Sequence, residues 1–129
     1  MKANLAHSMP FAKLIGVEVT GATSDAIEGY LDVRDDLCTT GGIIHGGAIM
    51  AFADAMGAVG AAISLPEGAK GTTTIESKTN FLGAARNGER VEAISIPLSI
   101  GRRISVWQTT MTRPDGRKVA VVTQTQLVL

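Results

Sequence analysis

The pattern of apolar and polar positions along the chain changes from helical to strand-like after Pro66. Residues 46–63 contain no proline, are rich in alanine and methionine, and carry one charged residue, Asp54. This run predicts a helix that is apolar on all sides, which is typical of a helix enclosed by its own fold or placed in a membrane. Pro66 and Gly68 predict where the helix ends.

Alternation with a period of two predicts strands on both sides of this helix. Two runs precede it, at residues 17–19 and 26–33, and the segment Gly21-Ala-Thr-Ser between them predicts a hairpin turn. Four runs follow it, at residues 72–82, 91–100, 104–113 and 118–129. Tight turns are expected at Gly101-Arg102 and at Pro114-Asp-Gly-Arg117. The order predicts an α+β fold in which an antiparallel sheet wraps around one long central apolar helix.

The same patterns predict which side chains pack together. Residues 3–14 are expected to form a short helix or turn that is interrupted at Pro10. Its anchors would be Leu5, Phe11 and Leu14. Trp107 and Met111 share one face of their strand, which we expect to belong to the core. Alternation also places four aliphatic residues on one face of an earlier strand: Ile94, Ile96, Leu98 and Ile100.

Composition narrows the class of protein. At 129 residues the chain is expected to form a single domain, residues 1–129. Its formal net charge is +0 and it has no basic run, so nothing points to nucleic acid or to an anionic membrane surface. One cysteine, Cys38, excludes an internal disulfide and fits a reducing cytoplasm. The first residues show no signal-peptide pattern, so we expect a cytoplasmic protein.

The predicted helix combines two features that carry chemistry. His45 precedes it, and Gly46 and Gly47 leave its first backbone N–H groups uncovered. Bare N–H groups at a helix N-terminus attract anions and developing negative charge. Asp54 follows about two turns later, and a carboxylate in an apolar helix is costly to bury unless it is paired or protonated. The helix therefore offers an oxyanion site at its start and a carboxylate near its middle.

Several segments together resemble a known family. The motif Gly42-Ile-Ile-His45-Gly46-Gly47 is followed by Asp54 nine residues after the histidine. With the opening Phe11…Leu14-Ile-Gly-Val, the strand Thr74-Ile-Glu-Ser-Lys-Thr-Asn-Phe-Leu and the turn Gly101-Arg-Arg, the sequence resembles the hotdog-fold thioesterases of the phenylacetate-pathway (PaaI-like) group. The likeness covers nearly the whole chain. It implies the hotdog fold and hydrolysis of an acyl-CoA thioester at a dimer interface, in a homodimer or a homotetramer of two dimers. We expect no cofactor and no metal ion.

The resemblance also implies roles for individual residues. The Gly46 N–H would polarise the thioester carbonyl, and Asp54 of the opposing protomer would act as nucleophile or as general base on water. His45 would lie near the carbonyl and shape the turn, with Gly47 beside it in the substrate site.

Other positions follow from the same likeness. Thr74 would support the acid or the attacking water, with Thr73 as the alternative. Relatives usually carry Asn or Gln six residues before the motif histidine, where this chain has Thr39, whose hydroxyl cannot offer an amide's donor and acceptor together. Turns near the CoA nucleotide in such proteins correspond to Arg86, Arg102 and Arg103.

Each interpretation has an alternative. Asp54 could be a buried structural acid, His45 a loop residue that caps the turn, and the arginines solvated turn residues. Cys38 lies seven residues before His45 and could be a nucleophile, but a lone cysteine is more often inert. Three functional alternatives are open. The first is a non-catalytic acyl-CoA sensor, which Thr39 favours, and the second is hydration of enoyl thioesters. The third is a membrane span at residues 44–63, which is disfavoured because a charged Asp54 inside a membrane is costly. The acyl group stays open between aryl and medium-chain groups, since methionine adapts its shape.

Overall fold

The computed structural model describes residues 4–129, and its elements follow the predicted α+β order. The two helices are α1 (Pro10–Ile15) and α2 (Gly46–Ile63), and two short 3₁₀ turns occupy Leu5–Ser8 and Asp35–Leu37. The strands are β1 (Glu18–Ala22), β2 (Ile27–Asp32), β3 (Thr72–Phe81), β4 (Arg90–Ile100), β5 (Ile104–Thr112) and β6 (Lys118–Val128).

These six strands form one antiparallel sheet in the order β1-β2-β4-β5-β6-β3. β2 and β3 are consecutive in the chain but far apart in the sheet, so α2 carries the chain across one face of the sheet to its other edge. A single long helix against one antiparallel sheet is the hotdog architecture, and that expectation is confirmed. β3 spans 10 residues, and its second edge has no strand partner within residues 4–129.

α2 lies close to the sheet because two of its glycines face large side chains. A Cβ on Gly57 would overlap the side-chain amide of Gln124, and one on Gly60 would lie 2.6 Å from the ring of Trp107. Trp107 and Met111 are fully buried, so the core face expected for their strand is confirmed. Helix residues buried on the same side recur at helical spacing: Ile49, Phe52, Ala53, Met56, Val59 and Gly60.

The sheet covers one side of α2, and the opposite side of the helix is largely open. Asp54 is exposed, and Met50 and Ile63 retain 41% and 44% of their surface. One sheet has one inner face, so it covers one side of a helix only. α2 is long and apolar enough to cross a membrane, but half of it is buried inside the described structure. It is therefore packed as a core helix.

The N-terminal segment packs through smaller residues than the sequence indicated. The expected anchors Leu5, Phe11 and Leu14 are exposed. The buried residues are Ala6, Ala12 and Ile15. Within α1, Phe11 and Leu14 are three residues apart and so are Ala12 and Ile15, so the sequence shows that each pair shares a face but not which face is inside. The expected interruption at Pro10 is present: a 3₁₀ turn ends at Ser8, and Pro10 is the first residue of α1, where the missing N–H has no cost.

The first hairpin is confirmed, but its turn is shifted. β1 continues through Gly21 and Ala22, which were expected in the turn. The turn instead spans residues 23–26, where the Thr23 N–H donates to the Ala26 carbonyl at 3.0 Å. The Thr23 hydroxyl oxygen also accepts from the N–H of Asp25, a local bond that favours turns.

The aliphatic face of β4 points away from α2. Its outward residues are Ile94, Ile96, Leu98 and Ile100, all of them exposed. Its inward residues are Val91, Ala93 and Ser95, all of them buried. The sheet therefore has an apolar outer surface at this strand as well as an apolar inner one.

Candidate active site

Asp54, in the middle of α2, contacts the sheet through one side chain of β3. The Thr74 hydroxyl donates to Asp54 Oδ1 at 2.6 Å. Thr73 points the other way and is exposed, because successive strand residues alternate between faces. The β3–β6 register shifts between Thr74 and Glu76, a bulge that re-aims the strand next to Asp54. Of the two threonines that the sequence left open, Thr74 is the one that meets the carboxylate.

Thr74 is itself held by a buried glutamine on β6. Gln126 Nε2 donates to Thr74 Oγ1 at 2.6 Å, and the two residues are direct partners in the β3–β6 ladder. On its other side Gln126 Oε1 accepts from the Thr72 hydroxyl at 3.0 Å. That hydroxyl also lies 3.1 Å from the carbonyl oxygen of Leu127. Asp54 is therefore the last member of a chain of hydrogen bonds that runs from Thr72 on β3 to Gln126 on β6 and back to Thr74 on β3.

A second buried glutamine, Gln124, lies beneath Asp54. Its Nε2 is 3.5 Å from the backbone oxygen of Asp54 and 3.5 Å from Oδ1. Its Oε1 is buried and has no partner within residues 4–129. The amide fits against α2 only because residue 57 is glycine. Both Gln124 and the Thr74 hydroxyl therefore approach the same carboxylate oxygen, Oδ1.

Sequence analysis did not identify either glutamine. The available signal is their phase: Gln124 and Gln126 follow Val122 at intervals of two and are fully buried with it. A polar side chain on the apolar side of a strand has to find a hydrogen-bonding partner. That partner is Asp54 or Thr74, which the sequence alone does not place nearby.

His45 organises the start of α2. It is the N-cap residue, and its Nδ1 accepts a hydrogen bond from the Gly47 N–H at 2.8 Å. A ring nitrogen that accepts carries no hydrogen, so we assign the hydrogen of the neutral ring to Nε2. The Gly46 N–H donates to no acceptor within residues 4–129. The helix therefore starts with an unused backbone donor next to a histidine whose second nitrogen is also a donor.

Thr39 lies in the irregular loop that leads into α2. The Gly42 N–H donates to the Thr39 carbonyl at 3.3 Å. Gly41 and Gly42 have φ values of +88° and +71°, which glycine adopts without steric cost. The loop folds back so that Thr39 and Gly46 line the same apolar cavity of about 410 Å³. The structure thus places Thr39 near the helix start, on the side that Phe81 also lines.

Two further cavities meet at Phe11. One of about 380 Å³ lies between α1 and the start of α2, where His45 and Gly47 line it. The other, of about 100 Å³, lies beside Asp54. Its remaining walls are apolar: Met9, Phe11, Ala12, Ala51 and Ala55. Apolar space therefore lies beside Asp54, and a cavity of mixed lining, which includes Arg34 and Asp36, lies beside His45.

The three candidate arginines do not form one cluster within the chain. Arg86 bridges to Ile43 and so lies at the end of the sheet where α2 begins. Arg102 and Arg103 lie in the β4–β5 turn, and the Arg103 carbonyl accepts from Val128 at 2.8 Å, at the opposite end of the sheet. All three are exposed.

Cys38 lies beside the site without joining it. Its Sγ donates to the Arg34 carbonyl at 3.4 Å, and it lines the same cavity as His45. Residues 4–129 contain no group of three or more His, Cys, Asp and Glu side chains that would hold a metal ion.

The side chains with a clearly shifted pKa belong to ion pairs on the surface of the protein. The hydrogen bond from Arg113 lowers the pKa of Asp115, and the bond to Asp115 raises the pKa of Arg113. The hydrogen bond to Asp32 likewise raises the pKa of Arg90, whose guanidinium lies 3.7 Å from the centre of the Tyr30 ring. These groups belong to the β5–β6 turn and to the outer parts of β2 and β4, so they do not act on Asp54 directly.

One distance limits what a single chain can do. Gly46 and Asp54 are eight residues apart on α2, which corresponds to ~12 Å along the axis. A hydrogen-bond donor lies ~2.9 Å from a polarised carbonyl oxygen, and an attacking atom lies ~3–3.5 Å from the carbonyl carbon. The two groups of one chain are therefore too far apart to act on the same carbonyl.

Comparisons with known proteins agree with this fold. A model of the Thioesterase superfamily matches residues 41–120, more than half of the chain. The 1,4-dihydroxy-2-naphthoyl-CoA hydrolase of Escherichia coli (strain K12) is 32% identical over 93 residues, covering 72% of this chain and 67% of that protein. Thioesterase HI1161 from Haemophilus influenzae has a similar structure, with a TM-score of 0.88 and 27% identity over 98% of this chain and 87% of that one.

The E. coli PaaI protein from the phenylacetic acid degradation operon shares the fold, with a TM-score of 0.86 and 16% identity over 96% of this chain and 90% of that one. The chain belongs to the thioesterase superfamily, and the resemblance to its hotdog-fold members is confirmed. It is an enzyme of the thioester hydrolase class.

Proposed function

We propose that the protein hydrolyses an acyl-CoA thioester to the free acid and CoA, at a site that two protomers share. The observation that carries this proposal is the state of Asp54: an exposed carboxylate on an otherwise apolar helix, with Oδ1 bonded to Thr74 and Oδ2 without a donor in residues 4–129. Here one oxygen is anchored and the other is left for a substrate or a water molecule.

The start of α2 supplies the complementary chemistry. Hydrolysis of a thioester places negative charge on the carbonyl oxygen as the tetrahedral intermediate forms. A preorganised backbone donor at that oxygen is worth ~10²–10³ in rate, and the unused Gly46 N–H is such a donor. The Nε2 hydrogen assigned to His45 would be a second donor near the same oxygen.

Asp54 then acts in one of two ways. As nucleophile, Oδ2 attacks the carbonyl carbon, CoA leaves as the thiolate, and water cleaves the mixed anhydride. As general base, Oδ2 takes a proton from water as the water attacks the carbonyl carbon. The tetrahedral intermediate then expels the CoA thiolate, which takes up a proton to give the free thiol. Acid quenching during turnover, followed by intact-protein mass measurement, separates the routes because only the first leaves an acyl group on Asp54.

A dimer follows from the ~12 Å between Gly46 and Asp54 of one chain. We propose that the N–H comes from one protomer and the carboxylate from its partner. The open side of α2 and the unpaired edge of β3 are adjacent at Thr74, and an unpaired strand edge is a template for pairing with another chain. Exposed Ile75 and Phe81 on this strand favour its burial by a partner. The exposed Arg86, Arg102 and Arg103 are candidates for binding the CoA phosphates, with Gly47 and Thr73 nearer the thioester.

The proposed acyl group is an aryl or medium-chain group. The cavity beside Asp54 has apolar walls that include Met9 and Phe11, and methionine adapts to irregular ligands. The name of the E. coli relative indicates an aromatic acyl-CoA as the substrate of that protein. Release of free thiol from benzoyl-, 1,4-dihydroxy-2-naphthoyl-, hexanoyl- and octanoyl-CoA would rank the two groups.

The decisive variant is Asp54→Asn. The amide keeps the size of the side chain but is neither nucleophile nor base, and loss of a general base costs ~10²–10⁴-fold. We expect kcat to fall by that range on the best substrate while the fold is retained. Asp25→Asn is the matched control, because Asp25 is exposed in the β1–β2 turn. If Asp54→Asn keeps wild-type kcat, Asp54 is structural. If the wild type binds acyl-CoA without turnover, the protein is the acyl-CoA sensor that Thr39 favours.

A further inference from the structure

We propose that Thr72 and Gln126 are positioning residues for the Asp54 carboxylate and act on it through Thr74. This inference rests on the proposed catalytic role of Asp54. Thr72, Gln126 and Thr74 are called the positioning row below. Of these three residues, only Thr74 was predicted to belong to the site from the sequence and the family resemblance.

The chemistry of each group fixes the direction of the row. Gln126 Oε1 can only accept, so the Thr72 hydroxyl at 3.0 Å donates to it. The amide is thereby turned so that Nε2, which can only donate, faces Thr74 Oγ1 at 2.6 Å. The Thr74 oxygen accepts that bond, and its single hydrogen is left for Asp54 Oδ1 at 2.6 Å. The Thr72 hydrogen is shared with the Leu127 carbonyl at 3.1 Å, whereas Gln126 and Thr74 each have one arrangement compatible with their neighbours.

Burial makes this arrangement costly to abandon. Gln126 is fully buried, and a buried amide without partners carries a desolvation penalty. Its two ends are satisfied by two threonines of one strand, residues 72 and 74. The register of β3 against β6 shifts by one residue directly after Thr74. The amide is therefore fixed between two points of the backbone, and the Thr74 hydroxyl is fixed with it.

The consequence for the carboxylate is geometric. Oδ1 is occupied by Thr74 and approached by Gln124 Nε2 at 3.5 Å, so rotation that exchanges the two oxygens is opposed. Oδ2 is then the oxygen presented to the substrate or water. Without the row, the Thr74 hydroxyl can turn to other acceptors, and the carboxylate loses its fixed orientation. A misplacement of ~1 Å from a change far from the chemistry can cost ~10²-fold in rate.

The test compares kcat and KM for single variants on the best thioester. Thr74→Val is expected to lower kcat most, Gln126→Met by about 10- to 100-fold and Thr72→Val by less. KM should stay nearly unchanged, because the members of the row bond to Asp54 or to one another and are not proposed to bind the substrate. Thr72→Ser retains the hydroxyl and is expected to retain wild-type kcat. The matched control is Thr79→Val on the same strand, since the buried Thr79 hydroxyl has no partner within residues 4–129.

A protein with both substitutions tests whether Thr72 acts through Gln126 or whether each substitution only disturbs the local packing. If Thr72 acts through Gln126, adding Thr72→Val to Gln126→Met lowers kcat no further, whereas independent effects multiply. Multiplicative effects, or equal losses in Thr72→Ser and Thr72→Val, would overturn the inference, as would wild-type kcat in a folded Gln126→Met protein. If Gln126→Met does not fold, Thr72→Val against Thr72→Ser decides alone. Failure of the proposed function looks different: Asp54→Asn would then be active.

Discussion

The ring of Phe81 lies over Gly46, where a Cβ would come within 3.1 Å of it. Residue 46 therefore matters for two reasons: there is little room for a side chain beneath the Phe81 ring, and its backbone N–H is the oxyanion donor that we propose. Different substitutions at Gly46 can test the two separately. Gly46 is the first residue of α2, which is the helix position that tolerates proline best.

Gly46→Pro is expected to lower kcat by ~10²–10³ because it removes the N–H that would stabilise the oxyanion. His45 already has the extended backbone that a residue before proline prefers, with φ −67° and ψ 137°. Gly46→Ala is the control, since it keeps the N–H and crowds Phe81 in the same way. Steady-state kinetics on one thioester, with circular dichroism for the fold, distinguish them. Equal losses in both variants would assign the effect to Phe81 instead.

The proposed sharing of the site between protomers predicts complementation. A dimer that combines an Asp54→Asn chain with a Gly46→Pro chain has one site with both groups intact and one with neither. Random mixing should restore about a quarter of wild-type activity, because half of the dimers are mixed and half of their sites are complete. Co-expression with two affinity tags isolates the mixed dimer. If the isolated mixed dimer is as inactive as the two single-variant dimers, the site is not shared between protomers in the way we propose.

The sequence was sufficient for the order of elements because each depends on local periodicity. The all-apolar run predicted α2, and the switch to period two predicted four strands after it. What periodicity cannot give is the side of an element that faces inward. Phe11 and Leu14 share a helix face, and so do Ala12 and Ile15; the second pair is the buried one. Only packing against the sheet makes that choice.

The same limit applies to the site. Asp54 and His45 were identifiable from spacing and from the family resemblance, and Thr74 with them. The contact between Thr74 and Asp54 requires β3 to lie against α2, and the role of Gln126 requires the β3–β6 register as well. Both depend on residues far apart in the chain, so a pattern in one segment does not contain them.

Gly60→Ala is expected to destabilise the protein although alanine favours helices. The exchange gains ~1 kcal/mol of helix propensity. Against it, the new Cβ would lie 2.6 Å from the ring of Trp107, and overpacking of a core typically costs ~1–3 kcal/mol. The ring is fully buried and cannot yield easily, so we expect a net loss of ~1–2 kcal/mol. Thermal unfolding at fixed protein concentration measures it.

Gly71→Ala is the control for this prediction, because a Cβ added at Gly71 would meet nothing within 4 Å and the φ of this residue is not left-handed. The variant should unfold at the wild-type temperature or slightly above, since alanine reduces the entropy of the unfolded chain. A Gly60→Ala protein as stable as Gly71→Ala would mean that α2 can move away from Trp107 without cost.

Thr39 is the position at which the resemblance leads us to expect a departure from the family pattern. Its loop is closed by the bond from Gly42 and by two glycines in left-handed conformation, so the position of residue 39 does not depend on its own side chain. The side chain is exposed and lines the cavity that contains Gly46. An amide there would have both a donor and an acceptor to offer to the thioester or to the attacking water, whereas a hydroxyl is shorter and offers one hydrogen.

We therefore expect Thr39→Asn to raise kcat/KM on at least one aryl- or medium-chain acyl-CoA and Thr39→Val to lower it. A preorganised donor at a developing oxyanion is worth ~10²–10³ in rate, but a bridging water can return part of that to the threonine, so the gain from Asn should fall below this range. Thr40→Val, one residue on and also exposed, controls for loss of a loop hydroxyl. The measurement is kcat/KM for the three variants on one substrate panel, after dimerisation has been checked by light scattering. If neither substitution at Thr39 changes kcat/KM, the residue lies outside the site. The group that holds the water is then to be sought at Thr74, or at Thr40 if Thr40→Val itself lowers kcat/KM.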